Sequence, residues 1–292
     1  MVRLLISLLL CVGLTAGAQA TTLIYDAGFD GTWPPKTDFH YDTDMSGNKV
    51  PWAFTFSSTH KRSGSHSLRI ENRPVGSSAD FNKSRRREIM PWQSLQGDNR
   101  VYLPEGEHIW TGFSLMLDPN WASAMTQPGK EIIIVQQFTR LESENGWAPE
   151  YLWVLREDGR VRVERYWGTS KSTRGRSGSD MTFTLEPGKW YDVVIHRYRK
   201  LDSSGRHRLW INGKLLGDVI GPNMLNDYNL KGAIHKWGLY TGPDGTSTYV
   251  MYFDNMKVAW GTFTDGYDAV NPAAGTSPQA PPPPQGLTLT RH

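Results

Sequence analysis

Ile234-His235-Lys236-Trp237-Gly238-Leu239-Tyr240-Thr241-Gly242 alternates in character with a period of two, and the rest of the chain is read around it. As a strand it sends Lys236, Gly238 and Tyr240 to one side and Trp237 and Leu239 to the other, because successive side chains of extended backbone point to opposite faces. One face then packs a core. The other sets an ammonium beside a phenol, with a glycine between them that keeps the surface open. An edge strand with a snorkelling lysine and a half-buried tyrosine fits the same residues, so the surroundings decide.

Residues 1–20 combine a basic start at Arg3, an apolar run from Leu4 to about Thr15, and Ala18-Gln19-Ala20. This is the make-up of a signal peptide, and the mature chain is expected to begin near Thr21, secreted or periplasmic. The run is too short for a membrane span, and no later stretch reaches the ~20 apolar residues that a span needs. Cys11, the only cysteine, lies in this segment, so the exported chain is expected to rely on its core rather than on disulfides. Residues 271–292 carry Pro281 to Pro284 among Ala, Gly, Gln, Ser and Thr, and read as a disordered Pro-rich tail. Residues 21–270 remain, with no repeat or linker to divide them, and are taken as one domain.

Within that domain, strand-like runs separated by turn residues dominate. His108 to Leu117 ends at Asp118-Pro119-Asn120, and Glu131 to Thr139 is rich in β-branched residues. Tyr151 to Arg156 and Val161 to Trp167 flank a turn at Glu157 to Arg160. Trp190 to Arg199, Arg208 to Ile211, the Ile234 strand and Tyr249 to Trp260 follow, with Asn212-Gly213 as the firmest hairpin signal. One short helix is expected around Trp121 to Met125. Many strands and few helices give an all-β, two-sheet antiparallel sandwich of the jelly-roll type.

The net charge is only +3, yet the cations cluster: Lys83, Arg85, Arg86 and Arg87, then Arg156, Arg160, Arg162, Arg165, Lys171, Arg174 and Arg176. Such clusters suit an anionic partner or form ordinary solvated strand faces. In an exported chain with 12 Trp and 12 Tyr, an acidic polysaccharide fits better than nucleic acid or a membrane.

The order of motifs resembles the jelly-roll polysaccharide lyases, above all the heparin lyase I and glucuronan lyase group and more distantly the jelly-roll alginate lyases. The residues that carry the resemblance run from about Asp26 to Trp260. They are Arg86-Arg87-Glu88-Ile89, His108 to Ser114, Val135-Gln136-Gln137-Phe138, Pro187 to Asp192, Leu209-Trp210-Ile211-Asn212-Gly213-Lys214, His235 to Tyr240, and Tyr252-Phe253-Asp254-Asn255. The resemblance implies a concanavalin-like β-jelly roll with a concave cleft. It also implies a monomeric lyase that cuts a uronate-containing polysaccharide by β-elimination, with no cofactor needed for the chemistry.

That reaction needs a charge neutraliser, a base and an acid in one groove. The resemblance matches Arg86 and Glu88 to an Arg-x-Glu-Leu motif, with Ile89 in place of Leu, so that Glu88 would fix the Arg86 fork on a uronate carboxylate. It matches Gln136 to the start of a Gln-x-His motif, as an amide donor to the carboxylate, but Phe138 stands where relatives have His. Tyr240 is the candidate for proton transfer, with Lys236 supplying the charge that favours phenolate. Arg87 and His196 join Glu88 as candidate substrate-binding residues, although strict alternation turns Arg87 to the opposite face. His60 and His66 are further histidines that stand before the Arg cluster. Asp30 and Asp254 resemble the two halves of a structural calcium site, or are plain turn aspartates.

Paired carboxylates at glycosidase spacing are absent from every strand, since Glu142 and Glu144 fall in a loop. The competing reading is a non-catalytic, lectin-like module for acidic polysaccharides, which the missing histidine at Phe138 favours and the Lys236/Tyr240 pair disfavours.

Overall fold

A computed structural model describes residues 21–33, 37–40, 50–74, 85–91, 102–121, 131–141, 146–156, 158–169, 174–177, 181–225, 233–241 and 247–273. The signal segment, the tail beyond Ala273, Lys83, Lys171 and the helix expected after Trp121 lie outside these residues. Along the chain the strands are β1 (Thr22–Ala27), β2 (Thr37–His40), β3 (Phe54–Ser57), β4 (Ser67–Asn72), β5 (Arg85–Pro91), β6 (Tyr102–Leu103), β7 (His108–Leu117), β8 (Glu131–Leu141) and β9 (Gly146–Arg156). They continue with β10 (Arg160–Trp167), β11 (Gly175–Arg176), β12 (Met181–Thr184), β13 (Tyr191–Tyr198), β14 (Arg206–Ile211), β15 (Lys214–Ile220), β16 (Ala233–Thr241) and β17 (Tyr249–Gly261). A single helical turn and a half, α1 (Gly266–Val270), follows.

The strands form two antiparallel sheets. An eight-stranded sheet runs β15-β14-β13-β7-β17-β4-β3, with β1 also on β17, and a nine-stranded sheet runs β11-β10-β9-β8-β16-β5-β2, with β12 on β10 and β6 on β16. This is the jelly-roll sandwich that the alternating runs imply. Phe113, Leu115, Val193, Ile195, Phe253 and Val258 from one sheet meet Ile89, Val135, Trp153, Val163, Trp237 and Leu239 from the other in the main core. Asn212 and Gly213 both take positive φ, 51° and 76°, the backbone that a two-residue hairpin turn requires.

The eight-stranded sheet carries a second apolar cluster on its outer face, where Trp110, Val194, Trp210 and Ala259 are covered by Tyr267 and Val270 of α1. Gly112 makes that docking possible, since a Cβ there would come 1.8 Å from the Val270 carbonyl oxygen. The corresponding outer face of the nine-stranded sheet holds Arg86, Glu88, Gln136, Lys236 and Tyr240.

Candidate functional site

Register builds the site. β16 pairs β5 with Tyr240 opposite Arg86, Gly238 opposite Glu88 and Trp237 opposite Ile89, and it pairs β8 with Lys236 opposite Gln136 and Ile234 opposite Phe138. Because cross-strand partners share a face, Arg86, Glu88, Lys236, Tyr240, Gln136 and Phe138 collect on one surface, while Trp237, Leu239 and Ile89 anchor the same strands in the core. Gly238 has φ 148°, and a Cβ there would sit 2.1 Å from the Arg87 carbonyl oxygen. The glycine therefore serves the close approach of β5 rather than an open groove surface, and so aligns Arg86 with Tyr240.

The side chains form two linked groups. The Arg86 guanidinium lies over the Tyr240 ring, 3.8 Å from its centroid. Beside it, Glu88 accepts a hydrogen bond from Gln136 Nε2, and its other oxygen lies 3.7 Å from Lys236 Nζ, which also sits 4.6 Å from the Phe138 ring centroid. Glu88, Lys236 and Gln136 are buried, whereas Arg86 and Tyr240 are half-buried and reach solvent.

Two expected partnerships are thus exchanged. Glu88 holds Gln136 and Lys236 rather than the Arg86 fork, and the cation stacked on the phenol is Arg86 rather than Lys236. A carboxylate only accepts, so it fixes the Gln136 amide with nitrogen inward and draws that donor away from a substrate carboxylate. Lys236 fills the space beside Phe138, putting a cation where relatives are expected to carry an imidazole.

Arg87 and His196 do not join this surface. Arg87 is fully buried between the sheets, with its guanidinium 5.3 Å from the Trp52 ring and donating to the Arg86 carbonyl oxygen, as alternation on β5 requires. His196 lies on β13 in the opposite sheet, also fully buried, where Arg208 Nε donates to its Nδ1 at 3.1 Å and its Nε2 meets His108 Nδ1 at 2.9 Å. Burial, then the neighbouring Arg208, holds its pKa well below the usual imidazole value. Both substrate-binding assignments are corrected on this geometry. His60, 4.8 Å from the Tyr252 ring, and His66, beside Ser65, also belong to the eight-stranded side.

Asp30 and Asp254 do come together, on one turn. Asp254 accepts backbone N–H bonds from Arg62 (2.9 Å), Ser63 (3.1 Å) and Asn255 (2.8 Å), and Asp30 accepts from Ser65 N at 2.6 Å. Burial pushes the Asp254 carboxyl up to about 6 against those donors, with the Asp30 charge adding to the rise. Calcium takes six to eight oxygens, whereas these carboxylates are aimed at N–H groups, and among the described residues no three acidic or histidine side chains converge. As arranged, the pair fits a clamp on the 62–65 turn better than an ion.

A further constellation went unassigned at the sequence level. On β10, Glu164 takes hydrogen bonds from Arg162 Nε (2.7 Å), Arg176 Nη2 (2.7 Å) and the Tyr166 hydroxyl (2.6 Å). Burial raises the Glu164 pKa, but these donors outweigh it and hold the carboxyl below its usual value, while burial and the bond to Glu164 push the Tyr166 phenol up to about 12. The signal was legible as Arg162-x-Glu164-x-Tyr166, an alternation that puts all three on one face.

Comparison with known proteins agrees with this architecture. Residues 31–257 match the family described as "Polysaccharide lyase", and the chain belongs to that family. It is similar in fold to an endo-β-1,4-glucuronan lyase from the fungus Trichoderma reesei, with TM-score 0.63 and 15% identity over 87% of this chain and 98% of that one. A family 7 alginate lyase, A1-II′, in complex with substrate gives TM-score 0.52 and 13% identity over 77% of this chain and 93% of that one. No curated protein matches the chain in sequence. The protein is thus a polysaccharide lyase, an enzyme whose substrate is a polysaccharide.

Proposed function

We propose that this is an exported lyase that cuts a uronate-containing polysaccharide by β-elimination, with Tyr240 as the proton-transfer residue. The observation that carries the reading is the Arg86 guanidinium stacked 3.8 Å from the centre of the half-buried Tyr240 ring. The stack fixes the orientation of the phenol oxygen and sets a cation beside the place where charge develops. The phenolate takes the C5 proton of the uronate, the C5 electron pair forms the C4–C5 double bond, and the C4–O4 bond breaks. The proton held by Tyr240 then passes to the departing O4, so that one residue serves as base and acid. Arg86 places its charge beside the sugar carboxylate and bears part of the charge that develops there.

Glu88, Lys236 and Gln136 form the floor. Their mutual bonds hold β5, β8 and β16 in register beneath the reacting sugar, and the Lys236 charge offsets that of Glu88. The relatives named above act on glucuronan and alginate, both uronate polymers, which supports this substrate class. The test is to incubate the mature chain with glucuronan, alginate, heparin-type polymers and neutral glucans, following the ultraviolet absorbance of unsaturated uronate. Product from an acidic polymer alone supports the reading; new reducing ends without that absorbance would mean hydrolysis and overturn it.

A further inference from the structure

The outer face of the nine-stranded sheet continues well past Tyr240. One cross-strand row reads Arg86, Tyr240, Ile133, Val154 and Arg162, each opposite the next on β5, β16, β8, β9 and β10. The middle of this face is apolar: Ile133, Leu152 and Val154 pack with Tyr166. Four strand spacings of ~4.8 Å separate β16 from β11, which pairs β10 with Arg176 opposite Tyr166, so free-standing cations reappear ~19 Å or more from the phenol, several sugar residues along a polymer laid across the strands.

There the arginines divide into two kinds. Arg162 is spent, with Nε on Glu164 and Nη1 and Nη2 on Glu131 at 3.1 and 3.4 Å. Arg176 has a half-exposed side chain and gives one nitrogen, Nη2, to Glu164. Arg174 holds its guanidinium 4.5 Å from the Tyr166 ring centroid, and Arg176 holds its own at 5.7 Å. Tyr166 is covered, so an incoming chain meets the guanidinium groups rather than the ring. A guanidinium carries five N–H donors in a fixed fork, which leaves both arginines with donors suited to a carboxylate.

We infer that Arg174 and Arg176, held over Tyr166, with Arg176 tied to Glu164, form a distal subsite for the carboxylate of a second uronate in the same polymer chain. The inference rests on the uronate reading above and extends it: the lyase measures its substrate at two charged points separated by an apolar floor, and so favours long chains over short ones.

The experiment compares the wild type with an Arg174→Gln/Arg176→Gln double variant on polyglucuronate or alginate and on oligosaccharides graded in length. Charge-assisted bonds to a carboxylate are strong enough that the double variant should raise KM for the polymer at least ~10-fold with a far smaller change in kcat. The penalty should vanish on oligosaccharides too short to reach β11, and added salt should narrow the gap. Arg174→Lys/Arg176→Lys, which keeps charge but not the fork, should fall between. An equal loss on long and short substrates, or an unchanged polymer KM, would overturn the subsite. Calorimetric titration with the longest oligosaccharide keeps the two claims apart. If the wild type binds but yields no unsaturated product, the activity reading fails, while the subsite stands or falls on whether the double variant binds more weakly.

Discussion

Tyr240 sits with its ring beneath the Arg86 guanidinium, and its proposed role makes the rate depend on the phenol oxygen rather than on the ring. Tyr240→Phe keeps the aromatic surface against Arg86, so the fold should survive while proton transfer is lost. General acid–base groups contribute ~10²–10⁴-fold, and product formation should fall by at least that factor with little change in substrate binding. Arg86→Lys retains the charge but not the planar stack or the fork, so it should lower kcat. An unchanged kcat would show that turnover needs neither the stack nor the fork. At this scale the sequence was legible where alternation alone decides, as for Lys236 and Tyr240 on one face of β16 and Gln136 and Phe138 on one face of β8. It was silent on partner choice: Glu88, two residues from Arg86, reaches across the sheet to Gln136 and Lys236, because side-chain length and strand register settle which neighbour is met.

The strand pair β5–β16 converts a local sequence feature into site geometry, and Gly238 is the position on which it turns. A methyl group there meets the Arg87 carbonyl oxygen at 2.1 Å and the backbone at φ 148° disfavours any side chain. Gly238→Ala should cost on the order of 1–3 kcal/mol or more, visible as a lower Tm, and should depress activity further by sliding Arg86 off Tyr240. A variant with native Tm and native rate would show that β5 does not need this approach. The strand pattern and the Asn212-Gly213 turn were readable because each is written in a few consecutive residues. The pairing of β16 between β5 and β8, the placement of β13 in the other sheet and hence the removal of His196 from the site were not, since long-range sheet order leaves no mark within one strand.

Whole-molecule stability draws on both the outer helix and a polar interior. Tyr267 and Val270 cover Trp110 and Trp210, and the described chain stays partly buried to Ala273. Ending the chain at residue 273 should leave Tm unchanged, whereas ending it at residue 264 exposes this cluster at roughly 1.5–3 kcal/mol for each apolar side chain uncovered. Between the sheets, Glu150 binds Arg199 at 2.7 and 3.0 Å, near the fully buried His207 and His235. Burial, then nearby arginines, keeps His196, His207 and His235 well below the usual imidazole pKa. These three are neutral when folded and titrate near ~6.5 when unfolded, so their contribution to stability is complete above that pH and is lost as pH falls below it. Asp254 acts in the opposite sense: its folded pKa of about 6 exceeds the unfolded value, so it takes up a proton in the native state first and its contribution grows on acidification. The buried histidines outnumber Asp254, so the net effect is a loss of stability as pH falls below about 6.5. Thermal unfolding from pH 8 to pH 5 should therefore show a plateau and then a steep fall in Tm. His207→Leu should make that fall shallower, and Asp254→Asn should make it steeper; a Tm that rises on acidification would mean that the carboxylate, not the histidines, governs the acid limb.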